Sequence, residues 1–159
     1  MTGTSVTNES FPGFEPAVRT IRIYCDGGSR GNPGPAGIGA VVLDVSKEPP
    51  TVLAMVSETI GIATNNVAEY QALVSGLETA ADFGATRIEV RADSQLLIRQ
   101  LEGRYRVKNA GLQPLYQRAM ELLRAYDEVD LQHVYREENT AADSLVNAAL
   151  DAAADAARE

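Results

Sequence analysis

The order of its periodic segments restricts what this chain can fold into more than any single residue does. Thr20–Asp26, Ile38–Val45 and Val52–Gly61 are rich in β-formers. Ser29–Gly37, dense in Gly and Pro, and the turn Lys47-Glu-Pro-Pro50 separate them. These runs predict an antiparallel meander. The period then changes. Ala68, Ala72, Leu73, Gly76, Leu77 and Ala80 fall at helical spacing within Asn66–Phe83, with Thr64 or Asn65 as its cap and Gly84 as its stop. Strand Thr86–Ala92, a short helix Ser94–Leu101, helix Leu112–Tyr126 with Pro114 in its first turn, strand Val129–Tyr135 and an Ala-rich helix Asn139–Ala157 complete the series. The strand-helix-strand unit from Val52 to Val90 is expected to pair in parallel with its neighbour by a right-handed crossover. The series predicts an α/β fold with a five-stranded mixed sheet, three antiparallel strands plus two parallel, flanked by helices.

Acidic residues stand at awkward points of that plan. Asp26 ends Ile21-Arg-Ile-Tyr-Cys25, and Asp93 ends Arg87-Ile-Glu-Val-Arg-Ala92. Glu69 and Asp143 lie on the flanks of helices. In open α/β sheets, sites form beyond the carboxyl ends of strands, where chain order reverses. If the first and fourth strands are adjacent, Asp26 and Asp93 come side by side. Two unit charges about 4 Å apart repel by roughly 4 kcal/mol at an effective dielectric near 20. A convergent cluster therefore calls for divalent cations. Carboxylates suit hard ions such as Mg²⁺ or Mn²⁺, and the absence of His/Cys clusters argues against zinc. Taken singly each acid is ordinary: Asp93 as a helix cap, Glu69 as a first-turn residue, Asp143 as a solvated helix position. Only the constellation points to chemistry.

Composition bounds the partners. The 159 residues fit one domain with a real core, 45% hydrophobic and 23% charged. No apolar run reaches the roughly 18 residues of a membrane span, and the N-terminus has no basic-then-apolar signal pattern. The polar, Gly- and Pro-broken segment Met1–Pro16 reads as a tail, which sets residues 1–17 apart from a single domain over 18–157. Asn8-Glu-Ser10 matches a glycosylation triplet but lacks a secretion signal beside it. The lone Cys25 reads as a buried strand residue in a cytoplasmic protein. A net charge of −8 argues against nucleic acid if read globally. However, Arg99, Arg104, Arg106 and Lys108 cluster with only Glu102 opposing them, and two divalent ions would offset further negative charge.

The motifs themselves are specific. Tyr24-Cys-Asp-Gly-Gly-Ser-Arg-Gly-Asn-Pro-Gly34, Thr64-Asn-Asn-Val-Ala-Glu-Tyr70, Ala92-Asp-Ser94 and Arg136-Glu-Glu-Asn-Thr-Ala-Ala-Asp143 occur in that order. Together they resemble the four motifs of type 1 ribonuclease H, in the short-loop form of some bacterial and archaeal members, over about Thr20 to Leu150. The resemblance implies an endonuclease that hydrolyses the RNA strand of RNA/DNA hybrids by two-metal-ion catalysis, leaving 5′-phosphate and 3′-hydroxyl ends. It implies that Asp26, Glu69, Asp93 and Asp143 hold two Mg²⁺ or Mn²⁺ ions. The partner would be the hybrid, removed from R-loops and primers, with no membrane and no obligate protein partner, the enzyme acting as a monomer.

Further residues follow from the same resemblance. The loop Gly27, Gly28, Ser29, Arg30 and Asn32 would run along the minor groove, where backbone groups meet RNA 2′-hydroxyls. This loop lacks the Gly-Lys-Ser/Thr of a P-loop and leads into a strand, not a helix. Asn65 and Asn66 suit sequence-independent groove contacts. Thr64 with Asn109 would bind a DNA phosphate, and Ser94 and Asn139 complete the expected substrate contacts. Two residues compete for an auxiliary role beside the fourth acid. His133 falls inside a strand, whereas Arg136 at the strand exit takes the loop position and is the stronger candidate. Better-known members carry a basic, Trp-containing handle; here Glu102–Gly111 is short and the chain has no Trp. Arg104, Tyr105, Arg106 and Lys108 are its candidate replacement. A different nuclease on the same fold, such as a junction resolvase, and a non-catalytic hybrid-binding module remain open alternatives.

Overall fold

The computed structural model describes residues 18–158; the N-terminal tail, with its Asn8-Glu-Ser10 triplet, lies outside the described residues. Strands β1 (Thr20–Ser29), β2 (Gly34–Asp44), β3 (Thr51–Ala63), β4 (Arg87–Ala92) and β5 (Glu128–His133) form one sheet in the order β3-β2-β1-β4-β5. β1 pairs antiparallel with β2, and β2 with β3; β1 pairs parallel with β4, and β4 with β5. Helices α1 (Asn65–Ala81), α2 (Gln95–Leu101), α3 (Gln113–Leu123) and α4 (Thr140–Ala157) surround it. The mixed five-stranded sheet expected from the segment order is therefore present. The crossover from β3 does not return beside β3. It carries the chain past β2 and β1, so that β4 lies against β1.

Alternation along β1 sorts the two faces. Ile21, Ile23 and Cys25 are buried and face Ile88, Val90 and Ala92 of β4 in register. α1 covers that face with Ala72, Leu73, Leu77 and Ala80. α4 lies on the opposite face, over β2, β3 and β1. Burying a side chain such as Leu73 or Ile23 contributes about 1.5–3 kcal/mol. No helix among the described residues is long and apolar enough to cross a membrane.

One boundary differs in a way that matters. β1 does not stop at Asp26; it runs to Ser29 and stays paired with β2 as far as Ala36. The Gly-rich segment expected as a turn is mostly ladder, with only residues 30–33 outside it. Glycine's low strand propensity hides this in sequence. Asp26 instead marks where the parallel pairing ends, since Cys25 and Ala92 are the last partners of β1 and β4. β5 is likewise shorter than expected, ending at His133 before a 3₁₀ turn over Arg136–Glu138.

Candidate active site

Two close approaches bring the helices onto the sheet end. A Cβ on Gly27 would collide with the backbone carbonyl of Ala68 and stand 2.6 Å from the Glu69 nitrogen. On the other face, a Cβ on Gly39 would collide with the Ala142 carbonyl oxygen and stand 3.0 Å from the Val146 nitrogen. Gly39 is the cross-strand partner of Asp26. Bare backbone at these positions thus lets α1 deliver Glu69, and α4 deliver Asp143, to the place where Asp26 and Asp93 leave the β1/β4 pair. The Gly39 contact was not singled out from sequence; its signal, a glycine inside an apolar strand, reads there only as a weak strand residue.

The expected acids meet. Asp26, Glu69, Asp93 and Asp143 line one cleft of about 280 Å³, together with Gly27, Gly28, Ser29, Arg30, Asn65 and Arg136. Burial, then the charges of Asp93 and Asp143, push the Asp26 carboxyl up to about 7, and it shares a hydrogen bond with Asp143. Glu69 is pushed up to about 7 by burial against the opposing effect of a hydrogen bond from Ser94, with Asp93 adding repulsion. Burial, then Asp26, Glu69 and Asp93, raise the Cys25 thiol well above its ordinary range, so Cys25 is no nucleophile. This excess of negative potential, built of hard oxygen donors with no His or Cys in the lining, fits divalent cations. Among the described residues no three acids already stand as a closed ligand cage. Shared lining of one cleft and mutual repulsion describe an acid cluster that a cation would draw together.

The remaining expected residues divide. Asn65 is a hub: its Oδ1 accepts from the Ser29 nitrogen at 2.8 Å, and its backbone N–H donates to Asn32 Oδ1 at 3.0 Å. It thereby fastens the Gly-rich loop to the start of α1. Thr64 caps α1, accepting from Val67 N at 3.2 Å, and Ser94 caps α2, accepting from Leu97 N. Thr64, Asn66 and Asn109 do not line the cleft. The Asn109 side chain accepts from Gly111 N at 2.7 Å within its own loop. Asn139 requires correction. It is 1% exposed, so it is a poor substrate contact. Its side-chain amide donates to the Cys25 carbonyl at 2.9 Å while its backbone carbonyl accepts from Asp143 N. It ties the head of α4 to the residue preceding Asp26; its Oδ1 is buried without a hydrogen-bond partner among the described residues. Arg136 lines the cleft and its guanidinium forms no ion pair among the described residues. His133 does not line it.

Two features were missed. Asn147, one turn beyond Asp143, donates to its Oδ2 at 3.3 Å and lines the cleft; the i,i+4 spacing was the available signal. Asp151 holds Arg30 at 2.7 Å, a contact between residues far apart in sequence that no local pattern announces.

Comparison with known proteins decides the family. A family profile described as "Reverse transcriptase-like" matches residues 24–149. The bifunctional protein Rv2228c of Mycobacterium tuberculosis is 49% identical over 86% of this chain. Ribonuclease HI of Halobacterium salinarum is 47% identical over 82% of it. A solved structure of LC11-RNase H1 in complex with RNA/DNA hybrid is 43% identical, with a TM-score of 0.76, covering 84% of this chain and 98% of that one. The chain belongs to the type 1 ribonuclease H family. It spans 37% of the length of the mycobacterial relative and 64% of the halobacterial one. In family terms the cleft is the place where the acids of all four motifs assemble on the ribonuclease H sheet.

The raised carboxyls carry a testable sign. Asp26 and Glu69 hold protons in the native state up to about pH 7, whereas ordinary Asp and Glu release them near 3.9 and 4.3, roughly. Between these limits the native state binds more protons than the unfolded chain, so their contribution to stability falls as pH rises. The melting temperature in chelator is expected to show this loss between about pH 4 and 7. Millimolar Mg²⁺ or Mn²⁺ should raise it more at pH 8 than at pH 5. A metal shift that is absent, or larger at pH 5, would contradict a preformed acidic site.

Proposed function

We propose that this chain is a metal-dependent endoribonuclease whose domain, residues 18–157, hydrolyses the RNA strand of RNA/DNA hybrids and leaves 5′-phosphate and 3′-hydroxyl ends. The reading is carried by one observation: acids from four separate segments line a single cleft beside the Gly-rich loop. Its support from relatives is that LC11-RNase H1, 43% identical, was solved with an RNA/DNA hybrid.

Asp26, Glu69, Asp93 and Asp143 are the residues that would hold two Mg²⁺ or Mn²⁺ ions. Such ions, when bound, lower the pKa of the attacking water and neutralise charge at the leaving oxygen. The chain's own groups do the rest. Ser94 donates to Glu69 and Asn147 to Asp143, so both carboxylates are oriented before substrate arrives. Asn65 holds the Gly27–Arg30 loop against α1, presenting backbone close to a groove and its 2′-hydroxyls. Arg136 lines the cleft without an ion pair among the described residues and would meet the scissile phosphate. R-loops and RNA primers would be its substrates, and it would act as a cytoplasmic monomer.

The test is a panel of end-labelled substrates at equal concentration in Mg²⁺ and in Mn²⁺: RNA/DNA hybrid, duplex DNA, duplex RNA and branched DNA. Cleavage confined to the RNA strand of the hybrid is the expected result. Preferential cutting of branched DNA would instead assign a junction nuclease. Hybrid binding with no turnover in either metal would assign a binding module.

A further inference from the structure

A second cavity, of about 190 Å³, opens on the β5 side of the acidic cleft. Gln95, Arg99, Arg104, Gln132 and His133 are among its lining residues, with one acid, Glu102, which pairs with Arg104. Topology fixes its position. Ala92 and His133 are partners across the β4/β5 pair, so His133 stands one strand away from the residue preceding Asp93. Gln95 opens α2 two residues after Asp93. Neighbouring strands lie about 4.8 Å apart, and the charges of one nucleic-acid strand recur every 3.4 Å of axis, roughly. The cavity therefore lies within a few nucleotide steps of the acids.

Its charge is also distinctive. Arg22, Arg30, Arg87, Arg91, Arg118 and Arg158 all pair with carboxylates. Among the described residues Arg99, like Arg106, Arg124 and Arg136, has no such partner, and of these four it alone lines this cavity, beside an acidic cleft in a chain of net charge −8. Arg104 has only Glu102, at 3.5 Å, and its side chain stays 61% exposed. The amides of Gln95 and Gln132 and the imidazole of His133 add N–H donors of the kind phosphate oxygens accept. Between α2 and α3 the chain forms no helix that would close over this cavity.

We propose that this cavity is a subsite for a backbone phosphate of the hybrid, with Arg99 as its charged anchor and Arg104 and His133 as its walls. The proposal rests on the hybrid-cleaving reading above and names a further part of the surface that grips the substrate. Arg99 acts on binding and not on the reacting phosphate, so its loss should appear in KM and leave kcat nearly unchanged.

The experiment is steady-state cleavage of a hybrid cut at a single site, over a range of salt, by the full chain and by Arg99→Gln. The variant is expected to raise KM roughly tenfold at low salt, and to make the slope of log affinity against log salt shallower by about one. Arg124→Gln, the same charge change at the end of α3 and four residues before β5 begins, is the control and should change neither. A second arm alters the substrate and is read first on the wild type. Single neutral methylphosphonates are walked outward from the cut along each strand, and one position should raise KM for the wild type. That position names the strand, and its effect should vanish in Arg99→Gln. If the wild type cleaves the hybrid, but no neutral position raises KM and Arg99→Gln keeps the wild-type KM and salt slope, the subsite is overturned and the proposed function stands. If the wild type fails to cleave any hybrid, the proposed function falls and the subsite falls with it.

Discussion

Asp26→Asn is expected to abolish cleavage while raising the melting temperature of the protein in chelator. The two effects have one cause. Asp26 stands where β1 and β4 part, faces Asp93, and hydrogen-bonds Asp143. As a ligand it is central to the cluster, and its loss should lower the cleavage rate by roughly 10³-fold or more, beyond the 10–100-fold typical of losing an outer partner of a metal site. As a charge it opposes folding. Its carboxyl is pushed up to about 7, first by burial and then by its acidic neighbours. At pH 8 the unfolded chain ionises this group freely, whereas the native state ionises it against repulsion. An amide removes that penalty and still donates to Asp143. Stability should rise at pH 8, and the stabilisation by Mn²⁺ should shrink. A residue that merely supported the fold would lose stability together with activity. Cleavage assays paired with thermal melts separate the cases, and a variant that cuts at the wild-type rate, or melts well below it, contradicts the account.

Gly27→Ala should damage both stability and catalysis, without touching a charge. The added Cβ meets the Ala68 carbonyl and the Glu69 nitrogen, which are backbone atoms in the first turns of α1 and cannot swing aside. α1 must retreat from β1, and Glu69 must move with it. Overpacking of this kind costs about 1–3 kcal/mol, occasionally more. For a chain of this size each kcal/mol lowers Tm by roughly 2–4 °C. A displacement near 1 Å at a reacting centre can cost about 10²-fold in rate. Gly28→Ala is the matched control. Its Cβ would find only Asn65 Oδ1, at 3.9 Å, an ordinary contact. Thermal melts of the two variants should therefore diverge sharply. Equal behaviour would mean that close packing of α1 on β1 does not position Glu69.

The contrast between those neighbouring glycines also marks what sequence reasoning can reach. The sheet and the acid constellation were legible, because period changes locate strands and helices, and acids at strand ends and helix flanks stand out against them. The resemblance to a known family fixed which acids belong together. The role of Gly27 was only half legible. Sequence gave reason to expect close backbone approach there, but toward a groove; the structure places a helix against it. Asn139 sits in a motif and reads as a contact, yet burial and its bond to Cys25 make it an internal tie. Polarity alone does not tell an exposed amide from a buried one that spans two elements. Asn65 was expected as a cap of α1 or a groove contact; Thr64 is the cap, and the Asn65 side chain accepts from Ser29 N. The Arg30–Asp151 and Ser57–Leu145 contacts link α4 to the strands over long stretches of chain, and only tertiary structure reveals them.

The most direct measurement is strand-specific cleavage of a labelled RNA/DNA hybrid by the purified chain and by Asp93→Asn, each with Mg²⁺ and with chelator. The account predicts RNA fragments with 5′-phosphate and 3′-hydroxyl ends from the wild type in Mg²⁺, an intact DNA strand, and no product with chelator or from Asp93→Asn at any metal concentration. Undiminished cleavage in chelator, or by a folded Asp93→Asn protein, would contradict it.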